Sequence, residues 1–203
     1  PDADPLALQD KERPASYREQ VDFFAAAATQ ADIVMVGDSI LGRVQWRDWL
    51  PGGEISNRAI PGDYAAWLPD RLDSVIAARA DRAILLVGIN DAVAGRSAET
   101  IHRDILTTVA RLDDAGIAVT VLSPLPCTAS ADYCLDANRT IAALDAMLAT
   151  NPGPNARFVD LRPVLAPGGA LREEFSEDGT HLNPRGVEAL VRALPADLHK
   201  TAN

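Results

Sequence analysis

Short apolar runs alternate with longer stretches of helical period along most of this chain. The apolar runs predict five strands, at residues 32–36, 54–58, 83–87, 117–122 and 157–160. The stretches between them predict helices at 15–29, 64–79, 98–115 and 136–149, with a closing helix at 184–194. Asn183 as N-cap, Pro184 in the first helical position and Pro195 after the run mark the bounds of that last helix. This alternation is typical of an α/β fold with a parallel sheet covered by helices on both faces.

Length and charge narrow the classes of protein that fit this pattern. The chain has 203 residues, of which 47% are hydrophobic, which suffices for one core, and we expect an N-terminal arm at 1–14 and a single domain at 15–203. The formal net charge of −10 disfavours binding to nucleic acid and to anionic membranes. Membrane spanning is not expected, because no apolar run approaches the roughly 20 residues that a helical span needs. The first residues also lack the basic start and apolar stretch of a signal peptide.

The only two cysteines, Cys127 and Cys134, lie in a loop-like stretch. A local disulfide between them would indicate the periplasm or the outside of the cell. Two free thiols in a cytoplasmic protein are the alternative, and the sequence leaves both open. Neither a Cys-x-x-Cys spacing nor a neighbouring pair of histidines supports a zinc site.

Reactive side chains follow the ends of the predicted strands. Ligands of open α/β sheets bind outside the carboxyl ends of the strands, so these side chains are expected to meet on one rim. The segments are Gly37-Asp38-Ser39, Pro61-Gly62-Asp63 and Gly88-Ile89-Asn90-Asp91, joined late in the chain by Asp178-Gly179-Thr180-His181.

These segments contain the groups that acyl transfer needs. A serine hydroxyl becomes a nucleophile when a base takes its proton and a carboxylate orients that base, and Ser39, His181 and Asp178 fit the three roles. The tetrahedral intermediate also needs hydrogen-bond donors for its oxyanion. The candidates are the N–H groups of Ser39 and Gly62 and the side-chain amide of Asn90. An α/β-hydrolase elbow, Gly-x-Ser-x-Gly, is disfavoured because Leu41 stands at its second glycine.

In these four blocks the chain resembles the GDSL-type esterases of the SGNH hydrolase superfamily. The blocks are Gly-Asp-Ser at Ser39, Asn-Arg-Ala-Ile-Pro-Gly-Asp at Gly62, Gly-Ile-Asn-Asp at Asn90 and Asp-Gly-Thr-His at His181. The resemblance implies a flavodoxin-like, three-layer α/β/α sandwich with a five-stranded parallel sheet. It also implies Ser39 as nucleophile, His181 as base, Asp178 as its orienting carboxylate, and an oxyanion hole of Ser39, Gly62 and Asn90. No metal or nucleotide cofactor is implied. Ile40 replaces the usual Leu after the serine, and Pro61 before Gly62 is a departure that would stiffen the oxyanion loop.

Several other polar residues have simpler interpretations. We expect Asp38 to organise the nucleophile turn by accepting backbone N–H groups, and Asp91 to cap or fix a loop. His102 and His199 are expected to be solvated, and salt bridges are expected for Arg43 and Arg58. Four aromatic residues are expected to pack in the core or at the rim, one or two of them walling an acyl or sugar pocket; they are Trp46, Trp49, Tyr64 and Trp67.

The functional hypothesis is a serine esterase for small acyl esters, with acetyl favoured because no insertion large enough for a lid is evident. The expected partner is a small-molecule or carbohydrate ester. An O-acyltransferase of a polysaccharide pathway, or a lysophospholipase or thioesterase using the same residues, is the alternative. Specificity is expected to lie in loops 40–53, 92–97 and 124–135, and the sequence leaves the oligomeric state open.

Overall fold

A five-stranded parallel sheet forms the centre of the molecule. The structure is a computed structural model that describes residues 13–27, 29–50 and 53–199. Its sheet has the strand order β2-β1-β3-β4-β5. The strands are β1 (Ile33–Gly37), β2 (Ile55–Asn57), β3 (Arg82–Leu86), β4 (Ala118–Leu122) and β5 (Arg157–Val159). Every residue of β1 is buried, as a central parallel strand with both faces covered requires. The prediction of five strands is confirmed.

Helices occupy the connections between the strands. The helices are α1 (Ala15–Ala26), α2 (Ser39–Gly42), α3 (Trp46–Trp49), α4 (Leu68–Ile76), α5 (Ile89–Val93), α6 (Ala98–Asp114), α7 (Leu135–Thr150), α8 (Arg162–Leu165) and α9 (Pro184–Ala193). Each predicted helix is present, and Asn183 caps α9 by accepting the Gly186 N–H at 3.0 Å. Of the predicted N-terminal arm at 1–14, residues 1–12 lie outside the described residues.

Two predicted helices are shorter than expected, for local reasons. Helix α1 ends at Ala26, and the Arg58 guanidinium binds the main-chain oxygens of Phe24 and Ala27 at 2.6 and 2.7 Å, which satisfies carbonyls of its last turn. The predicted helix 64–79 begins with a 3₁₀ turn at Ala65–Trp67 before α4. Pro69 lies in the first turn of α4, where its missing N–H costs no helical hydrogen bond.

The sheet separates two layers of helices. From β1 the chain crosses to β2 at one edge of the sheet, and from β2 it moves back across the sheet toward β5 at the other edge. Because crossovers between parallel strands are right-handed, these opposite movements place their helices on opposite faces. Helices α2 and α3 cover one face, and α4, α6 and α7 cover the other. Helix α1 packs beside α4, and α9 lies with α3 across a shared cleft. The predicted three-layer α/β/α sandwich is confirmed.

The strand order also locates the place where a ligand binds. The chain direction reverses between β1 and β3, and the crevice at such a switch point is the usual ligand site of an open parallel sheet. Ser39 follows β1, Asn90 follows β3, and Gly62 follows the neighbouring β2. Three of the predicted site residues therefore lie beside the switch point.

Candidate active site

Ser39 is the first residue of the short helix α2, directly after β1. Asp38 is the N-cap, and its Oδ1 accepts the Ile40 N–H at 2.9 Å. This confirms the prediction that Asp38 organises the turn around the serine. Since the first N–H groups of a helix have no partner within the helix, the Ser39 N–H is free of α2's own hydrogen bonds.

Ser39, His181 and Asp178 form one continuous hydrogen-bonded chain. Ser39 Oγ lies 2.8 Å from His181 Nε2, and His181 Nδ1 lies 2.6 Å from Asp178 Oδ2. Asp178 Oδ1 also accepts the N–H groups of Thr180 and His181, at 3.0 and 2.8 Å. Burial alone would raise the pKa of Asp178, but these hydrogen bonds hold it well below its usual range. Asp178 is therefore ionised beside the imidazole at neutral pH.

Gly62 is at the corner of a tight turn. The Asp63 N–H donates to the Ile60 oxygen at 3.1 Å, and Gly62 has a φ of +82°. Proline at the second position of a four-residue turn and a positive φ at the third define a type II turn, so Pro61 and Gly62 suit their places. The turn fixes the direction of the Gly62 N–H, as the stiffening expected from Pro61 implies.

Asn90 lies in the first turn of α5, next to this turn. Its Nδ2 donates to the main-chain oxygen of Asp63 at 2.8 Å. An amide nitrogen carries two hydrogens, so one N–H fixes the side chain and the other is available. Asp91 behind it is fully buried and accepts the Ala65 N–H at 3.0 Å and an Arg96 N–H at 2.5 Å, which confirms its expected role in fixing a loop.

The Asp38 carboxyl is also fully buried, and its Oδ2 has no hydrogen-bond partner. Burial raises the pKa of Asp38 to about 7, and the nearby carboxylates of Asp63 and Asp91 act in the same direction, against the hydrogen bond from Ile40 and a weaker interaction with the Gly88 N–H. The residue before Ser39 thus titrates close to neutral pH.

A buried ion pair that the sequence reading missed lies beneath the turn. The Asp63 carboxylate has no exposed surface and accepts hydrogen bonds from Arg71 Nε and Nη2 at 2.8 and 2.6 Å. A signal was present in the sequence, because Arg71 falls three residues after Leu68 and four before Val75, on the apolar stripe of α4. A cation on such a stripe indicates a buried partner.

Two clefts open on either side of these residues. One, of about 280 Å³, is lined by Ser39 and His181 and walled by Trp49. The other, of about 580 Å³, is lined by Gly62 and walled by Tyr17, Tyr64 and Trp67. Three of the four aromatic residues in the prediction therefore line a cleft, Trp49, Tyr64 and Trp67, one more than expected. Trp46 packs in the core, with its Nε1 donating to the Leu41 oxygen at 2.9 Å.

Two predictions about single residues were wrong, one was right in part, and one was right. His102 is buried because it shares the inner face of α6 with Ala98, and its Nε2 lies 2.8 Å from the Asn151 oxygen. His199 is half-buried, with Nε2 3.2 Å from the Leu194 oxygen, so it is only partly solvated. Arg58 is buried against neutral oxygens where a salt bridge was expected, since the carbonyls ending α1 attract its charge. Arg43 does lie 3.8 Å from an Asp178 oxygen.

Cys127 and Cys134 are joined in a disulfide, with their Cα atoms 6.0 Å apart. The loop that they close contacts the segment containing Asp178 and His181. The Thr128 N–H donates to the Gly179 oxygen at 2.8 Å, and the Tyr133 hydroxyl lies 2.5 Å from Thr180 Oγ1. Of the two alternatives for the cysteines, the structure has the bonded one.

Residues 13–27, 29–50 and 53–199 contain neither a candidate metal site nor a helix that could span a membrane. No cluster of three or more His, Cys, Asp or Glu side chains in these ranges is arranged to hold a metal ion. No helix there combines the length and the apolar character that crossing a membrane requires.

A serine, a histidine and a carboxylate in hydrogen-bonded sequence at the rim of an α/β sheet are the arrangement of hydrolases with a serine nucleophile. The sequence matches the GDSL-like lipase/acylhydrolase family over residues 35–189. The chain therefore belongs to this family, and its class is that of a carboxylic ester hydrolase. No curated protein matches the sequence significantly.

Solved structures with the same fold share little sequence with this chain. A provisionally assigned platelet activating factor from Streptococcus pneumonia has 22% identity, with 97% of this chain and 100% of that chain covered and a TM-score of 0.77. A GDSL-like lipase from Bacteroides thetaiotaomicron has 20% identity, coverage of 88% and 95%, and a TM-score of 0.67. An acetyl xylan esterase has 19% identity, coverage of 79% and 96%, and a TM-score of 0.62. These likenesses support the fold.

Proposed function

We propose that this protein hydrolyses small acyl esters, acetyl esters in particular, with Ser39 as nucleophile, His181 as base and Asp178 as the carboxylate that orients it. The observation that carries the proposal is the hydrogen-bonded chain from Ser39 Oγ through His181 to Asp178, with contacts of 2.8 and 2.6 Å. The Ser39–His181 distance lies within the range that direct proton transfer requires, and the His181–Asp178 hydrogen bond orients the imidazole.

The reaction follows from this geometry in two halves. Ser39 Oγ bonds to the ester carbonyl carbon while its proton moves to His181 Nε2. The bond from that carbon to the alcohol oxygen then breaks, and His181 returns the proton to the leaving alkoxide. Water, deprotonated by the same imidazole, attacks the acyl-serine. The bond from the acyl carbon to Ser39 Oγ then breaks, His181 returns the proton to Oγ, and the acid is released. Asp178, held ionised by its hydrogen bonds, stabilises the imidazolium in both halves.

The oxyanion hole of the proposal has three donors, which are the N–H groups of Ser39 and Gly62 and the free N–H of Asn90. Each donor of this kind typically contributes about 2.7–4 kcal/mol to the lowering of the barrier. The three donors belong to segments after three adjacent strands, and the hydrogen bond from Asn90 to Asp63 joins two of those segments directly.

The cleft beside Ser39 supports a small ester as substrate. Its volume of about 280 Å³ is just below the usual range for ligand sites, which suits a short acyl group better than a long one. The lining combines apolar side chains with Trp49 and polar Arg43, Gln45 and Asp48, and the aromatic and polar part offers a surface for a sugar. The apolar part comprises Ile40, Val44, Leu182, Pro184 and Val187. The acetyl xylan esterase among the structural neighbours is consistent with an acetylated carbohydrate.

Replacement of Ser39 by alanine tests the catalytic assignment. Ser39→Ala should abolish hydrolysis of p-nitrophenyl acetate without lowering the midpoint of thermal unfolding. Thr107→Ala is the matched control, because it removes an exposed hydroxyl that binds only the Arg103 oxygen within α6. Retained hydrolysis in Ser39→Ala would reject the assignment of Ser39 as nucleophile.

A substrate panel tests the proposed specificity. We expect kcat/KM to fall as the acyl group of p-nitrophenyl esters lengthens from two to eight carbons, and acetylated xylo-oligosaccharides to be deacetylated. A preference for long acyl chains would favour a lysophospholipase instead. Transfer of acetyl to an added glycan, in place of release of free acetate, would favour an acyltransferase.

A periplasmic or secreted location is the second part of the proposal. The Cys127–Cys134 disulfide supports it, because such bonds persist mainly in oxidising compartments. Alkylation and intact-mass measurement of the protein taken from its native cells would test it. Two alkylated thiols without prior reduction would favour the cytoplasm.

A further inference from the structure

The three donors of the proposed oxyanion hole lie on separate segments, and one buried ion pair binds all three segments. The pair is Arg71 on α4 with Asp63, the residue after Gly62. Arg71 and Asp63 are 2% and 0% exposed. Burying both charges of an ion pair this completely destabilises the folded protein unless every polar atom of the pair is hydrogen-bonded. The hydrogen bonds of the pair therefore indicate its role.

Asp63 holds the segments of Gly62 and Asn90. Its N–H closes the type II turn that presents Gly62, and its main-chain oxygen accepts the Asn90 amide at 2.8 Å. Its carboxylate accepts the Tyr64 N–H and the Tyr17 hydroxyl on Oδ1, at 3.0 and 3.1 Å, while Oδ2 binds Arg71. The Asp63 main chain therefore contacts both the Gly62 turn and Asn90, and the hydrogen bonds to its carboxylate hold that main chain in place.

Arg71 extends the same connection toward Ser39. Its Nη2 reaches the oxygen of Gly37, two residues before Ser39, at 3.4 Å. Its Nη1 donates to the Arg58 oxygen at 2.7 Å, in the segment between β2 and the Gly62 turn. A guanidinium can make these bonds at once because its donors lie in a fixed planar fork, which a lysine ammonium lacks.

We propose that Arg71 and Asp63 are positioning residues that set the spacing of the Ser39, Gly62 and Asn90 donors, with Tyr17 holding the carboxylate from the opposite side. This inference rests on the proposed function of those three donors. It predicts that loosening the pair weakens binding of the oxyanion, which exists only in the transition state, more than binding of the neutral ester.

The test compares Arg71→Lys and the milder Tyr17→Phe with wild type. Arg71→Lys keeps the charge but loses the fork, and we expect kcat for p-nitrophenyl acetate to fall about 10–100-fold, with KM changed less than about 3-fold. Tyr17→Phe removes one hydrogen bond to Asp63, and we expect a loss of about 3–10-fold in kcat. If Arg71→Lys does not fold, Tyr17→Phe alone decides.

A second readout separates positioning from general loss of stability. The inhibition constant of a methyl trifluoromethyl ketone, whose adduct with serine carries an oxyanion, should rise in the variants by the same factor as kcat/KM falls. Leu112→Ala is the matched control, since it opens a cavity at a fully buried position in the last turn of α6, at the end of the sheet opposite the carboxyl ends of the strands. It should lower the unfolding midpoint and leave both constants near wild type.

Two results would overturn the inference, and both can be told apart from failure of the proposed function. One is a folded Arg71→Lys or Tyr17→Phe protein with kcat within 2-fold of wild type. The other is a loss of kcat that leaves the ketone inhibition constant unchanged. In either case, inactivity of Ser39→Ala keeps the proposed function intact. An active Ser39→Ala would instead reject the proposed function and this inference with it.

Discussion

Replacing Asp38 by asparagine should stabilise the protein increasingly as pH rises. The Asp38 carboxyl is completely buried, Oδ1 accepts the Ile40 N–H, and Oδ2 has no partner. An asparagine side chain has almost the same shape and keeps an oxygen for Ile40. The NH₂ group of the asparagine stands where Asp38 has Oδ2. In the neutral aspartic acid the O–H group is at that same position, and it too has no partner. The substitution therefore mimics the protonated aspartic acid at every pH.

The sign and size of the effect follow from linkage. Burial raises the pKa of Asp38 from 3.8 to about 7, so between these values the folded state binds a proton that the unfolded state has lost. The favourable contribution of the neutral carboxyl is fully present below pH 3.8 and is lost as pH rises through about 7. The two pKa values differ by about 3, and each pKa unit corresponds to about 1.36 kcal/mol, so the effect on the free energy of unfolding is at most about 4 kcal/mol.

Urea unfolding at pH 4.5, 6 and 8 measures this effect. The free energy of unfolding of Asp38→Asn minus that of wild type should increase by up to about 1.4 kcal/mol per pH unit between pH 4.5 and 7, and then level off. Asp136→Asn is the control, because that side chain is 91% exposed and its difference from wild type should not follow this curve. A difference for Asp38→Asn that stays constant or falls as pH rises would refute the argument from burial.

Two further predictions concern the oxyanion donors and the disulfide. Asn90→Ala removes one donor and should lower kcat about 10²–10³-fold with little change in KM in steady-state assays of p-nitrophenyl acetate; a change confined to KM would contradict the role of Asn90. The disulfide closes a loop with a sequence separation of 7, so reduction should lower the free energy of unfolding by about 2–3 kcal/mol in denaturant titrations. Because the loop contacts Gly179 and Thr180, kcat should also fall on reduction, and an unchanged kcat would separate the loop from the site.

The sequence predicts those parts of the molecule that depend on local pattern. All five strands and the main helices follow from the spacing of apolar residues, and the start of α9 from Asn183 and Pro184. The site residues Ser39, Gly62 and Asn90 were predictable because they follow adjacent strands of a parallel sheet. Their convergence is a property of the topology and needs no knowledge of side-chain packing.

Contacts between distant segments could not be predicted from the sequence, because they depend on how the helices pack against the sheet. Arg71 reaches Asp63 only when α4 lies against the end of β1, and Arg58 finds its partners only where α1 ends. The same limitation produced the wrong prediction for His102, since the polar neighbours of that residue along the chain conceal its place on the inner face of α6. Charge and polarity alone do not indicate burial when the partner is a main-chain carbonyl.

The turn formed by Ile60, Pro61, Gly62 and Asp63 determines at which stage the proposed oxyanion hole loses its conformational entropy. Proline limits φ before the glycine, and the Asp63 N–H closes the turn on the Ile60 oxygen. The unfolded chain is therefore already restricted at this position, so that less entropy is lost when the turn forms. The orientation of the Gly62 N–H is then fixed once, during folding. On the proposed role of Gly62, each catalytic cycle begins with that dipole in place, and little reorganisation of the turn has to accompany the appearance of negative charge.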